Sequence, residues 1–96
     1  MMAGHCDFRF RLFVAGNTPN SRLALLNLTA LCGKLLIGRH EIEVVDVLDE
    51  PAQALREGIY MTPTLVKVLP LPPGRVVDTL GDAQLVANAL GLVGET

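Results

Sequence analysis

The sequence has little sulfur, few aromatic residues and no excess of positive charge. Its 96 residues include two cysteines, no tryptophan, one tyrosine and three phenylalanines, and the net charge is −2. Cys6 and Cys32 form no C-x-x-C motif, which argues against the dithiol centre of redox enzymes. The eight lysines and arginines are scattered, whereas nucleic-acid-binding domains usually cluster them on one face. We therefore expect no nucleic-acid partner.

Long apolar runs are also missing. The best candidate for a membrane span, residues 23–37, is interrupted by Asn27, Thr29, Gly33 and Lys34, so no run reaches the ~18 residues that a span needs. Residues 1–7 contain no apolar stretch typical of a secretory signal, and we expect a cytoplasmic protein. Half of the residues are hydrophobic, which suits one folded domain over residues 8–92 between an N-terminal tail, 1–7, and a C-terminal tail, 93–96.

The first half of the domain reads as strand, helix, strand. Apolar residues alternate along 8–14, which predicts a strand. Leucines recur at spacings of three and four along 19–36, which predicts a helix with Thr18 as N-cap and Pro19 at the first helical position. The nearly continuous apolar run within 41–48 predicts a second strand that is covered on both faces.

The second half continues with a short helix, two strands and a last helix. The short helix begins at Pro51 and ends at Gly58. The following segments are a strand within 59–69, a proline-rich turn, a strand at 75–80 and a helix from 83 to about 92. In this last helix we expect Leu85, Val86, Ala89 and Leu90 on the inner face.

The resulting order, β-α-β-α-β-β-α, predicts an α/β domain of the thioredoxin-like type, with a mixed sheet and helices on both faces. In that fold a proline with a cis peptide bond precedes the third strand and faces the turn after the first strand. Pro63 occupies this position, so we predict that the Thr62-Pro63 bond is cis.

The turn between the first strand and the first helix is where a thioredoxin keeps its reactive thiolate. Here the window is Thr18-Pro19-Asn20-Ser21 and contains no sulfur. Cys32 lies about three turns further along the helix and is expected to be a small buried residue. Thr18 or Ser21 could serve a glutathione-transferase-like reaction, but helix capping explains both more simply.

Other chemistry finds no support in the sequence. The turn lacks the Gly-Lys-Ser/Thr of a phosphate-binding loop. Cys6, Cys32, His5 and His40 do not have a recognised metal-ligand spacing. Asp46 could be partly buried, but no catalytic triad is recognisable. We therefore expect no cofactor, no metal and no enzymatic activity.

Three separated blocks, residues 12–21, 45–48 and 62–70, resemble the KaiB family of circadian clock proteins in order and spacing, and the resemblance spans about residues 8–92. It implies a non-enzymatic protein that binds a KaiC-type hexameric ATPase and autokinase, displaces a sensor histidine kinase and sequesters a KaiA-like protein. It also implies a resting homo-oligomer, a dimer or tetramer, whose C-terminal half is rearranged, so the chain is a candidate for fold switching.

The resemblance assigns roles to particular residues. Lys67, Arg75 and Thr64 match the partner-facing half of the family. Arg22 is a further candidate for partner binding, although the family usually has its arginine one residue later, about 100° away around the helix. Four prolines lie in the half that rearranges: Pro63, Pro70, Pro72 and Pro73.

Two departures from the family concern the same switch. Ala89 replaces a common glycine, which favours the last helix by ~1 kcal/mol. Gly91 replaces a common acidic residue and is expected to weaken the end of that helix. We therefore predict that this chain populates the thioredoxin-like state more than other family members do. The alternatives are a stress-adaptation or histidine-kinase-interaction module without a full oscillator and, with less support, a thioredoxin-superfamily enzyme.

Overall fold

The computed structural model describes residues 7–92, which form one four-stranded sheet and three helices. The chain runs β1 (Phe8–Val14), α1 (Pro19–Leu35), β2 (His40–Asp46), α2 (Pro51–Arg56), β3 (Thr64–Leu69), β4 (Gly74–Val77) and α3 (Ala83–Leu90). The strand order is β2-β1-β3-β4. β1 and β2 are parallel, whereas β3 is antiparallel to β1 and β4. The predicted thioredoxin-like order of elements is confirmed.

The central strand β1 has apolar side chains on both faces. Phe10 and Leu12 point to one face and Phe13 to the other, and all three are fully buried. The alternation follows from the period of two along a strand. β1 therefore anchors two separate hydrophobic clusters, one on each side of the sheet.

Helices cover both faces, as predicted. On one face, α1 contributes Ala24 and Leu28 and α3 contributes Val86 and Leu90 to the larger cluster. On the other face, α2 contributes Ala54 to a smaller cluster with Phe13, Val45 and Ile59. No helix within residues 7–92 is long and apolar enough to cross a membrane.

The prediction that the second strand is covered on both faces is wrong. β2 is an edge strand that pairs only with β1, and its one buried side chain is Val45. Val44 is 46% exposed, and Leu48, which lies beyond the end of the strand, is 70% exposed. The reason is geometric. Within residues 7–92, α2 is the one helix on its face and has six residues, and the longer helices lie over the rest of the sheet.

The inner face of the last helix also differs from the prediction. Ala87, rather than Ala89, faces the core together with Val86 and Leu90, while Leu85 and Ala89 are exposed. Both sets fit the helical period over eight residues, so the spacing alone could not choose between them.

The connections around β3 and β4 are longer than the sequence indicated. β3 begins at Thr64 rather than near residue 59, and β4 ends at Val77. The Thr62-Pro63 bond is cis, which confirms the prediction, and the Leu69-Pro70 and Leu71-Pro72 bonds are cis as well.

Side chains cap the N-termini of α1 and α3, and the Thr18 cap was predicted. Thr18 caps α1 and Asp82 caps α3 through side-chain oxygens that accept backbone N–H groups. Gly91 lies just beyond α3 as its C-cap, at φ 69°. The expectation that Gly91 weakens this helix is therefore wrong, because glycine adopts the left-handed conformation without the steric cost that other residues incur.

Substitution by alanine should have opposite effects on stability at two glycines, Gly33 and Gly91. Gly33 lies inside α1 and an added Cβ meets nothing within 4 Å, so Gly33→Ala should raise the free energy of unfolding by about 0.5–1 kcal/mol. Gly91 has φ +69°, so Gly91→Ala should lower it by about 1–2 kcal/mol. Urea denaturation of both variants measures the difference. Stabilisation by both substitutions would contradict the left-handed cap.

Candidate partner-binding surface

The turn after β1 forms a closed hydrogen-bond network. The Ser21 hydroxyl is buried, accepts the Ala15 backbone N–H at 3.1 Å and is 2.8 Å from the Thr18 hydroxyl. Thr18 also accepts the Ser21 backbone N–H at 3.3 Å. Thr18 thus caps the helix, as the sequence predicted, whereas the Ser21 hydroxyl holds the turn after β1 and does not cap the helix.

Asp46 also has a structural role at this turn. Its Oδ1 atom accepts the backbone N–H of Gly16 at 3.0 Å and that of Leu48 at 2.9 Å. The carboxylate thereby joins the β1–α1 turn to the segment after β2. Two backbone donors satisfy this oxygen, so it is engaged in holding the turn.

Cys32 is a core residue. It is fully buried in the larger cluster, and burial raises the pKa of its thiol from 9.0 to about 11. A neutral, inaccessible thiol is a poor nucleophile, which confirms the expectation of a small buried residue. Cys6 and His5 lie outside the described residues. Within 7–92, no three His, Cys, Asp or Glu side chains come together as a metal site.

Lys67 is buried, although a partner-binding lysine is normally exposed. Its side chain points to the α1/α3 face of the sheet, and Nζ donates to the Leu90 carbonyl at 2.8 Å. Leu90 is the last residue of α3, so the ammonium satisfies a carbonyl at the negative end of the helix dipole.

A groove of about 400 Å³ lies between the proline-rich turn and the end of α3. Six residues singled out from the sequence line it together: Lys67, Pro70, Pro72, Pro73, Ala89 and Gly91. Gly74, which the sequence reasoning missed, is a structural requirement of the groove. A Cβ at Gly74 would lie 2.8 Å from Leu90 Cδ2. The sequence signal for this role was a glycine at the start of a strand, directly after a turn with three prolines.

Arg75 lies on the opposite face of the sheet from Lys67. Its Nη1 donates to the Gly58 carbonyl at 3.0 Å and its Nη2 to the Glu57 carbonyl at 2.7 Å, so it binds the end of α2. A smaller cavity of about 170 Å³ borders Arg75, Thr64 and the exposed side chains of Tyr60 and Met61.

The remaining predicted site residues are dispersed. Thr64 is buried, and its hydroxyl donates to the Met61 carbonyl at 2.6 Å. Pro63 is buried beside it. Arg22 is exposed on the first turn of α1 and lines neither cavity. The structure thus forms two groups of predicted site residues. One lines the groove, and the other is Thr64 and Arg75, which border the smaller cavity. Arg22 belongs to neither group.

One charged cluster was not anticipated. Arg11 is partly buried on the α2 face and pairs with Glu43 at 2.8 Å and Glu57 at 2.7 Å. The hydrogen bond with Glu43 raises the pKa of Arg11. The in-register pairing of Arg11 with Glu43 on neighbouring strands was the signal for this contact.

The buried thiol predicts a specific loss of stability at alkaline pH. In the unfolded chain the thiol ionises near pH 9, but in the folded chain it stays neutral up to about pH 11. Between these values the unfolded state gains charge first, so the free energy of unfolding should fall. Urea denaturation from pH 8 to pH 11 in a Cys6→Ser background should show this loss, and Cys32→Ala should remove that component. Identical pH profiles with and without Cys32 would contradict it.

The sequence and the fold have counterparts in known proteins. The KaiB domain model matches residues 11–92. The circadian clock oscillator protein KaiB of Synechococcus elongatus is 43% identical over 92 residues, which cover 96% of this chain and 90% of the relative. That of Prochlorococcus marinus is 39% identical over 92 residues, which cover 96% and 88% of the two chains.

Solved structures show the same fold at lower sequence identity. The N-terminal domain of Synechococcus elongatus SasA has a TM-score of 0.72 and 21% identity, with coverage of 100% of this chain and 94% of that one. Mitochondrial thioredoxin 3 of Saccharomyces cerevisiae has a TM-score of 0.71 and 16% identity, with coverage of 92% and 80%. The family model and the close relatives both extend over most of the sequence, and they show that this chain belongs to the KaiB family.

Proposed function

We propose that this chain is a non-enzymatic regulatory protein of a circadian clock that binds a KaiC-type hexameric ATPase and lowers its phosphorylation. The observation that carries the proposal is the KaiB family match over residues 11–92, with relatives named circadian clock oscillator proteins. A match over almost the whole folded region supports transfer of the general role.

The geometry of the β1–α1 turn supports a binding role over a redox role. A thioredoxin-like enzyme needs a thiolate at the N-terminus of α1, where the helix dipole lowers the thiol pKa. Here the hydroxyls of Thr18 and Ser21 are used within the turn, and Cys32 is buried with a raised pKa. The fold is shared with thioredoxins, but the reactive group is not.

The surface proposed for the ATPase has two parts, one on each side of the β3–β4 hairpin. On one side lies the groove, which is lined by Lys67 and by the rings of Pro70, Pro72 and Pro73. On the other side Arg75 and Thr64 border the smaller cavity beside exposed Tyr60 and Met61. Exposed aromatic, methionine and arginine side chains are common in interface centres.

The thioredoxin-like arrangement is the form proposed to bind. Two features of α3 favour it. Ala89 lies within the helix on its exposed side, where alanine is the strongest helix former, and Gly91 provides the left-handed cap. We propose that these two residues bias the chain towards this form relative to a rearranged C-terminal half.

The fold shared with the SasA N-terminal domain supports a proposal of competition for the ATPase. The SasA N-terminal domain has the same architecture as this chain. We propose that the two types of domain compete for one surface of the ATPase, and that a KaiA-like protein is a further partner of the complex.

We predict that charge reversal at Arg75 weakens binding to a KaiC-type hexamer. Arg75→Glu should lower the affinity by at least about tenfold, because it removes an exposed positive charge at the proposed surface and replaces it with a negative one. The affinity is measured by titration calorimetry in ATP and in ADP. Phosphorylation of the hexamer should be higher in the presence of this variant than in the presence of the unsubstituted chain.

Two variants separate recognition from folding. Arg75→Lys keeps the charge and should retain most of the affinity, whereas an equal loss in both Arg75 variants would assign a purely structural role to the guanidinium. Arg9→Glu reverses a charge on β1 that pairs with Glu41 near the other sheet edge and should leave the affinity unchanged. An equal loss in Arg9→Glu would contradict a surface centred on Arg75.

A further inference from the structure

The helix α1 carries apolar residues on the side that faces solvent as well as on the side that faces the core. Leu23, Leu26, Ala30 and Gly33 are exposed, and Leu26 is 68% exposed. Ile37, in the turn directly after the helix, is 73% exposed. We refer to these five residues as the α1 stripe.

The stripe is a continuous surface. At about 100° per residue, its four helical members fall within about 80° of arc, directly opposite the buried residues Ala24, Leu28 and Cys32. An apolar face of a helix normally packs against another element. α1 is enclosed on one side only, so the stripe is an apolar surface without a partner among residues 7–92.

A concavity lies next to the stripe. It measures about 150 Å³, lies between α1 and the segment that joins β4 to α3, and is bordered by Asn27, Ala30, Lys34, Leu80 and Gly81. The Asn27 side chain donates to the Thr79 carbonyl at 2.8 Å and holds the segment against α1. The stripe therefore has an adjoining recess that could receive an apolar side chain of a partner.

The charges that α1 itself carries have one sign. Arg22 and Lys34 are exposed about 60° to either side of its centre, at opposite ends of α1. α1 contains no acidic residue, and all ten acidic residues of the chain lie outside it. A partner that covers the stripe must therefore place negative charge on both flanks of an apolar seam.

We propose that the α1 stripe is the docking site for an amphipathic helix of a partner protein that carries acidic residues on both sides of its apolar face. The apolar seam would pack on Leu23, Leu26 and Ala30, with an anchor side chain in the recess, as in other helix-in-groove contacts. Arg22 and Lys34 would pair with the acidic flanks. This surface is separated from Arg75, which binds the end of α2 on the other face of the sheet.

The charges favour this occupant over two others. A second copy that applied its own α1 would bring Arg22 and Lys34 of both chains together without an opposite charge. An anionic membrane would be attracted by about 1 kcal/mol for each of only two basic residues, while the chain as a whole carries a net charge of −2.

Two synthetic peptides test the proposal. Each has the length of α1, 17 residues, an alanine-rich helical background and leucines at spacings of three and four. One carries glutamates on both flanks of the leucines and the other carries lysines. Fluorescence anisotropy with the full chain should show that the glutamate peptide binds at least about tenfold more tightly than the lysine peptide. Lys34→Glu should reduce this preference.

Matched variants locate the site. Leu26→Gln should reduce binding of the glutamate peptide by at least about tenfold. Leu55→Gln changes an equally exposed leucine, 70% against 68%, on α2 and should leave binding unchanged. Equal binding of both peptides, or equal losses in both leucine variants, would overturn the proposal. So would a Leu26-dependent dimer in light scattering or Leu26-dependent binding to phosphatidylserine vesicles, because the occupant would then be a second copy or a lipid surface.

Discussion

The structure depends on β1, a central strand with apolar side chains on both faces. Phe10 and Leu12 anchor the larger cluster beneath α1 and α3, and Phe13 anchors the smaller one beneath α2. The in-register pairing of β1 with β2 and the antiparallel pairing with β3 fix which side chains reach which face. A slip of one residue would exchange the two faces, so the position of every surface described above follows from this strand.

Two of the three cations proposed for partner binding, Lys67 and Arg75, share a physical role. Lys67 on β3 donates to the last carbonyl of α3, and Arg75 on β4 donates to carbonyls at the end of α2. Helix C-termini carry unsatisfied carbonyls and a partial negative charge, so each cation joins the hairpin to a helix on one face of the sheet. The proposed binding surface is therefore supported by the same contacts that hold the C-terminal half of the domain together.

Local patterns in the sequence predicted the elements well, and the failures have physical reasons. The strand–turn–helix at residues 8–35 followed from alternation, the Thr18 cap and Pro19, all of which are local signals. Coverage of β2 and the inner face of α3 depend on which elements lie opposite, and neither is encoded within the segment itself. The burial of Lys67 was missed for the same reason, since it requires the end of α3 to be placed across β3.

The candidate site was accessible from sequence only through the family resemblance. The absence of cysteine from residues 18–21 argued against a thiol centre at the β1–α1 turn. Local patterns could not group Lys67, the three turn prolines, Ala89 and Gly91 around one groove. The α1 stripe is the reverse case. Its leucines are visible in the sequence, but a leucine-rich helix is normally predicted to be buried. The structure shows that Leu26 is exposed.

We propose above all that this chain acts by binding a KaiC-type ATPase. Native mass spectrometry of the chain mixed with the hexamer, in ATP and in ADP, tests it most directly. We expect complexes whose mass equals the hexamer plus whole copies of this chain, in at least one nucleotide state. Free hexamer and free chain alone, in both nucleotide states, would contradict it.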